Sequence, residues 1–198
     1  MNLYELLYKI GRKIYINGKD TVNRKTKGLY IDKSAIVWGA DFIINDADIG
    51  GSIKIGVSSQ IYGELATMGY GGVIDIGDYS FVGNNTRIWA GKRIKIGNHV
   101  EISHNCNIFD NNTHPKNYRE RQKQYYENMQ GRYKGFDLCD SEIVIEDNVW
   151  IASGVSIVRG GLIIGENSIV GAGSVVVESI PRNSLAVGNP ARVVKTLN

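Results

Sequence analysis

The sequence predicts an all-β protein wound as a parallel coil of short strands, and three observations carry that expectation. The 198 residues hold 24 glycines against 3 prolines, and Ile and Val are abundant while Leu is scarce, which favours strands and turns over helices. Large aliphatic residues recur at every sixth position over most of the chain. The position four places after many of them is small or β-branched.

The six-residue period runs through Ile31, Val37, Ile43, Ile49, Ile55 and Ile61, then Ile76, Val82, Ile88 and Ile94. It resumes two residues out of phase in Ile96, Ile102 and Ile108, and again in Ile145, Ile151 and Ile157, then Ile164, Val170 and Val176. Helical faces recur at about 3.6 residues and strand faces at 2, so neither alone repeats at six. A short strand plus a corner does, and three of them close a triangular turn of about 18 residues. The aliphatic side chains then stack inward in columns. The small set Ser80, Thr86, Val100, Cys106, Val149, Val155, Ser168 and Ser174 falls near the corners. Glycine follows the large residue in Ile76-Gly77, Val82-Gly83, Ile96-Gly97, Ile164-Gly165 and Val170-Gly171, where a Cβ would crowd the backbone.

The elements follow in order. Residues 1–30 form a short N-terminal helix and a basic arm. Leu3, Leu6, Leu7, Ile10 and Ile14 keep helical spacing, and eight basic residues stand against three acidic ones up to Lys33. With Lys9, Arg12 and Lys13 beside it, this stripe fits packing against a neighbouring subunit, or a weak association with a membrane surface. Residues 31–180 form the coil, about seven turns of it, interrupted by one long excursion over 114–142. A solvated helix is expected there at roughly 119–130. Residues 181–198 close the far end, since the stacked ends of a coil are open sheet edges that need covers.

Composition removes several function classes. With 42% hydrophobic and 22% charged residues the chain is neither disordered nor a membrane bundle, and no apolar stretch nears the roughly 20 residues of a span. The start of the chain does not read as a signal peptide. Two cysteines, Cys106 and Cys139, make no disulfide scaffold, so a cytoplasmic setting is expected. There is no nucleophile elbow, phosphate loop or dinucleotide fingerprint. The net charge of +3 and the absence of a binding motif speak against nucleic acid.

Three segments carry a family resemblance: Asn111-Asn112-Thr113-His114-Pro115 before the excursion, Ile145-Glu146-Asp147-Asn148-Val149-Trp150-Ile151, and Ile164-Gly165-Glu166-Asn167-Ser168 through Gly188-Asn189-Pro190-Ala191-Arg192. On these the chain resembles the hexapeptide-repeat acetyltransferases with a left-handed parallel β-helix, and most of all the galactoside, maltose and capsule or O-antigen enzymes. The resemblance implies a homotrimer with active sites between neighbouring prisms, acetyl-CoA as donor, no metal, and a histidine as general base.

Acetyl transfer to a hydroxyl needs a group that removes a proton as the oxygen attacks a thioester, and histidine suits that task near neutral pH. His114 matches the family's catalytic histidine. Trp150, Ser153, Ala172, Val177, Arg192 and Lys195 match its CoA positions. Val177-Glu178 stands where many relatives have Thr-Lys, which places an acidic group near an anionic donor. Gly83 and Gly91 stand where the galactoside enzymes hold acceptor-binding Asn and Asp, and the adjacent Asn84 and Asn85 are candidate substitutes. The excursion offers Tyr118, Arg119, Arg121, Tyr125, Tyr126 and Arg132, a mix that favours a carbohydrate acceptor. His99, His104 and His114 also evoke the zinc carbonic anhydrases of the same fold. Here, however, the first two fall three and eight places after Ile96 rather than two and seven. The function expected is O-acetylation of a sugar hydroxyl in bacterial surface polysaccharide synthesis. The alternative is N-acetylation of an amino-sugar nucleotide, and a non-catalytic β-helix scaffold is a third reading.

Overall fold

The computed structural model describes residues 27–37, 41–43, 51–68, 70–132 and 135–198. Almost all of the expected N-terminal helix and arm, together with Ile49, Tyr133 and Lys134, lie outside the described residues. What is described is a left-handed parallel β-helix of three sheets. Each turn contributes one strand to each sheet. The first turn is β1 (Leu29–Ile31), β2 (Ile36–Val37) and β3 (Asp41–Ile43), and the second is β4 (Ser52–Ile55), β5 (Gln60–Ile61) and β6 (Glu64–Thr67). The third is β7 (Val73–Ile76), β8 (Phe81–Val82) and β9 (Arg87–Ala90), and the fourth is β10 (Arg93–Ile96), β11 (Glu101–Ile102) and β12 (Asn107–Phe109). The excursion then carries one helix, α1 (Tyr118–Met129). The fifth turn is β13 (Ile143–Ile145), β14 (Trp150–Ile151) and β15 (Ser156–Ile157), and the sixth is β16 (Leu162–Ile164), β17 (Ile169–Val170) and β18 (Val175–Val176). Sheet A stacks β1, β4, β7, β10, β13 and β16, sheet B starts from β2, and sheet C starts from β3.

Among the described residues six turns are complete, not seven. The seventh is begun by Ile180, which bridges Ile164 in sheet A, and by β19 (Ser184–Gly188), which pairs with β17 in sheet B. The chain then reverses into β20 (Ala191–Thr196), antiparallel to β19. The shortfall has a physical cause in sheet A. From β4 on, its strands each bury two residues, such as Ile53 and Ile55, Ile74 and Ile76, Ile94 and Ile96, or Ile143 and Ile145. These turns are therefore longer than the ideal, and the same length of chain winds fewer of them. The apparent phase slip between Ile94 and Ile96 is not a slip, because both point inward from β10 with exposed Lys95 between them.

The columns fill the interior. Val82, Ile88, Ile94, Ile102, Ile108, Ile151, Ile157, Val170 and Val176 are fully buried, and all belong to one hydrophobic core. The small corner residues are buried too, and their hydroxyls tie successive turns together. Ser80 Oγ donates to the Gly97 carbonyl at 2.9 Å and accepts from the Val100 N–H at 3.0 Å. Thr86 Oγ1 does the same between the Ser103 carbonyl and the Cys106 N–H. Burial pushes the Cys106 thiol up, which suits an inert packing role. At Gly97 a Cβ would sit 2.2 Å from Asp147 Oδ1 and 2.8 Å from its backbone nitrogen, so close stacking of turns, not an unusual φ, is what demands glycine there. Among the described residues no helix is long and apolar enough to cross a membrane.

Candidate active site

The excursion leaves the prism at the corner where sheet C hands over to sheet A. Asp110 follows β12 and is fully buried. Its carboxylate accepts the backbone N–H groups of Gly91, Lys92 and Arg93 at 2.7 to 2.8 Å, and so fixes the corner of the turn below. Burial raises the Asp110 carboxyl above its usual range, against the pull of those three donors. Beside it, Asn111 Nδ2 donates to Asp140 Oδ1 at 2.8 Å, and the Tyr70 hydroxyl donates to the same oxygen at 3.0 Å. Burial first, and Asp140 second, hold the Tyr70 hydroxyl far above its ordinary pKa, so it stays a donor. This network joins the two ends of the excursion. It also explains Gly91, because a Cβ there would meet Asp140 Oδ1 at 2.1 Å and Asn111 Nδ2 at 2.5 Å.

Two residues on, the backbone makes a tight reversal. Thr113 has φ +58°, an uncommon conformation for a β-branched residue, and the His114 N–H returns to the Asn112 carbonyl at 2.6 Å. Asn111 Oδ1 accepts the Thr113 N–H at 2.8 Å, and Thr113 Oγ1 donates to the Asn112 carbonyl at 2.7 Å. The reversal projects the His114 side chain outward, where it is exposed, while Pro115 is buried. His114 Nδ1 lies 2.8 Å from Oε1 of Gln124, the one buried residue of α1.

Helix α1 sits where the sequence places a helix. It starts at Asn117, whose side chain accepts the Arg119 N–H at 2.9 Å. It docks on the His-Pro segment by polar contacts. Gln124 Nε2 donates to the Thr113 carbonyl at 3.3 Å, and Arg121 Nη1 donates to the carbonyls of Pro115 and Lys116 at 3.0 and 3.2 Å. Arg121 is therefore committed to the backbone. Tyr118, Tyr125, Tyr126 and Met129 are exposed on the rest of the helix, and Arg119 lies over the Tyr118 ring.

The other sequence-derived positions fall into separate places. Ser153 and Ala172 lie on successive turns at the corner between sheets B and C, where the Gly173 N–H donates to the Ser153 carbonyl at 2.9 Å. Val177 follows β18 in sheet C, and its carbonyl accepts from Arg159 Nη1 at 3.4 Å. Arg192 and Lys195 are exposed on β20, and Arg192 Nη1 lies 3.5 Å from Glu178 Oε2. Trp150 points out of sheet B, 47% exposed, in register with Glu101 and Ile169. His114 leaves from sheet C, so one prism does not bring the histidine and the tryptophan onto a common face. Asn84 and Asn85 are exposed at the B–C corner that precedes β9, whereas His114 roots at the corner that follows β12, the next strand of sheet C. A strand length, about 13 Å, thus separates Asn84 and Asn85 from the histidine's corner, which weakens them as substitutes within one chain. The three histidines occupy three different corners, and the ring of His99 stacks on that of Tyr79 at 5.2 Å.

Two site-lining features are absent from the sequence reading. One is Gln124, three residues after Arg121 and so on the same helix face, a spacing visible in the sequence. The other is an outward apolar column on sheet C beside the corner that bears His114. It contains Trp89 and Phe109, stacked at 5.0 Å, and continues upward through Val158 to Val177. Trp89 Nε1 donates to Glu64 Oε1. Each of Trp89, Phe109, Val158 and Val177 directly follows an inward Ile or Val, and that shared phase is the signal for the column.

The fold defines the class: the chain is a left-handed parallel β-helix built on a six-residue repeat. Its homologues are acetyltransferases. It is 39% identical over 107 residues to the galactoside O-acetyltransferase of Lactococcus lactis, covering 53% of this chain and 44% of that protein. A hexapeptide-repeat-containing acetyltransferase of Vibrio cholerae superposes with a TM-score of 0.59 at 25% identity, covering 100% of this chain and 94% of that one. AntD, an N-acyltransferase of Bacillus cereus solved with dTDP-4-amino-4,6-dideoxyglucose and coenzyme A, superposes at 0.66 over 88% of this chain and 87% of that one, with 20% identity, a likeness of fold. No family model matches. The chain spans about half the length of the curated relatives it matches, between 44% and 58%.

Proposed function

We propose that the protein transfers an acetyl group from acetyl-CoA to a sugar hydroxyl, with His114 as general base. The observation that supports this most is the placement of His114. It stands at the root of the excursion, on a reversal held by three hydrogen bonds, with Nδ1 engaged by the protein and its ring exposed. Nε2 takes the hydroxyl proton as the oxygen adds to the thioester carbonyl. As the C–S bond breaks, the imidazolium returns that proton to the departing thiolate. Direct transfer needs no covalent acyl-enzyme, and Cys106 is buried away from solvent.

The sheet C column supplies the groove. Val177 at its upper end is a donor position by family likeness, and the Trp89–Phe109 stack at its lower end offers flat apolar faces of the kind that pack on sugar rings. Ser153 and Ala172 are small enough to let the pantetheine arm approach the backbone. Arg192 and Lys195 are the cations available to the donor's phosphates, and Glu178 competes for Arg192. Because His114 and Trp150 face different sides of one prism, the complete site is built between subunits, and the functional unit is a homotrimer. Trp150 then lines the cleft from the neighbour. The acceptor we infer is a glycan or glycan precursor of the bacterial surface, reached in the cytoplasm where acetyl-CoA is made.

The test is thiol release from acetyl-CoA across a panel of nucleotide sugars, amino-sugar nucleotides and surface polysaccharides. Acetylation of an amine rather than a hydroxyl would move the reading to the N-acetyltransferase, whose rate should climb further with pH because the amine must be neutral to attack. No release above hydrolysis with any acceptor would favour a non-catalytic scaffold.

A further inference from the structure

We propose that Gln124 is the positioning residue for His114: it holds the imidazole as the Nδ1–H tautomer and so presents the Nε2 lone pair to the acceptor. This rests on the base role given to His114 above. A histidine can act as a base only through a ring nitrogen that lacks a proton, and which nitrogen that is depends on the partner of the other. Here the partner is an amide, whose two ends differ: one accepts and the other donates. The end facing the ring is decided by a third group. Gln124 Nε2 lies 3.3 Å from the Thr113 carbonyl, which can only accept, so the amide nitrogen must face the carbonyl. The amide oxygen then faces Nδ1, at 2.8 Å, and an oxygen acceptor requires Nδ1 to carry the proton.

The arrangement differs from a carboxylate–histidine pair in charge. A carboxylate would stabilise the imidazolium and delay formation of the free base to higher pH, whereas a neutral amide fixes the tautomer without that cost. The charged groups around it are otherwise engaged. Arg121 is bonded to the Pro115 and Lys116 carbonyls, Glu127 to Arg132, Asp110 to three backbone N–H groups, and Asp140 to Tyr70 and Asn111. Glu120 and Lys123 are exposed on α1, and Lys116 is exposed beside it. Among the described residues Gln124 is the side chain hydrogen-bonded to the ring. Helix α1 buries this glutamine and leaves its tyrosines out, which is unexpected for a helix whose purpose is only to pack.

The experiment uses the full chain, labelled with ¹⁵N, and long-range ¹H–¹⁵N correlation of its three histidines. His114→Ala assigns the signals, and the readout needs no acceptor. The wild type is expected to show His114 as Nδ1–H. In Gln124→Ala the ring should move to the Nε2–H form that free histidine prefers. Its kcat for acetyl-CoA thiol release should fall about tenfold, the size of one lost hydrogen bond, with acceptor KM nearly unchanged. Gln124→Glu should keep Nδ1–H and shift the ascending, acid-side limb of the pH–rate profile upward by about one unit. A wild-type Nε2–H tautomer, or a tautomer indifferent to Gln124→Ala in a variant with an unchanged melting point, would overturn the proposal. If His114→Ala keeps its rate, the base assignment fails instead, whatever the tautomer.

Discussion

The prism and the excursion are held together by opposite means. In the prism, mostly β-branched side chains point inward from the described strands, and the polar atoms near them are tied off by corner hydroxyls and turn-to-turn hydrogen bonds. In the excursion, Tyr118, Tyr125, Tyr126 and Met129 face outward, and the segment is anchored by Asp110, Asn111, Asp140, Gln124 and Arg121. The difference teaches where stability and chemistry reside. The prism contributes the apolar burial that offsets chain ordering, and it does so by repetition. The excursion contributes little apolar burial, but its hydrogen bonds have direction, and direction is what aims the His114 ring.

The largest effect that separates the two regions is a cavity in the prism. Ile102→Ala removes a fully buried side chain from the middle of sheet B and should cost about 2–5 kcal/mol, read as a large drop in unfolding midpoint. A loss below about 1 kcal/mol would mean the columns carry less than stated here. Next comes the root of the excursion. Asp110→Asn keeps the size but replaces one acceptor oxygen by a donor, leaving a buried N–H unmatched. The expected cost is about 1–3 kcal/mol by denaturant titration, with activity reduced as the corner loosens.

A third variant sharpens the functional side of the comparison. Replacing residues 118–133 by a short Gly/Ser link should leave CoA affinity nearly unchanged by calorimetry, because the proposed donor positions lie on turns that keep their own ladders. Acceptor KM should rise and kcat should fall as well, since Gln124 leaves with the helix. A collapse of CoA affinity would put the excursion in the donor site. The smallest effect is on the outer surface of sheet A. Arg182 bonds Glu146 at 2.9 Å and holds its carboxyl below the usual range, yet both side chains are solvated. A lowered carboxylate pKa contributes stability above its unfolded value and loses it as pH falls through the folded one. Arg182→Ala should therefore cost little near neutral pH, and less still once Glu146 and its other partner Glu166 are protonated. A larger cost in urea melts would show that the pair is more than a solvated contact.

These expectations also mark what the sequence made legible. The six-residue period exposes the prism because every sixth side chain meets the same environment, and Ile76, Val82 and Ile88 are buried as that period requires. The number of turns was overestimated because the period alone does not reveal that sheet A strands bury residues at both i and i+2. His114 was legible as a break in the pattern together with the family motif. Its partner was not, since Gln124 reaches it across ten residues through a fold of the loop that no local period encodes. The Trp89–Phe109 stack lies between these cases. Its outward phase is written in the chain, but the neighbour that makes it a platform comes from the turn above.

The central claim is that His114 removes the acceptor proton in acetyl transfer from acetyl-CoA. The most direct test is the rate of thiol release by wild type and His114→Ala, with the same sugar acceptor and matched melting points. The account predicts a folded variant whose rate is lower by about 10²–10⁴-fold, the usual worth of a general base. A variant that turns over at close to the wild-type rate would contradict it.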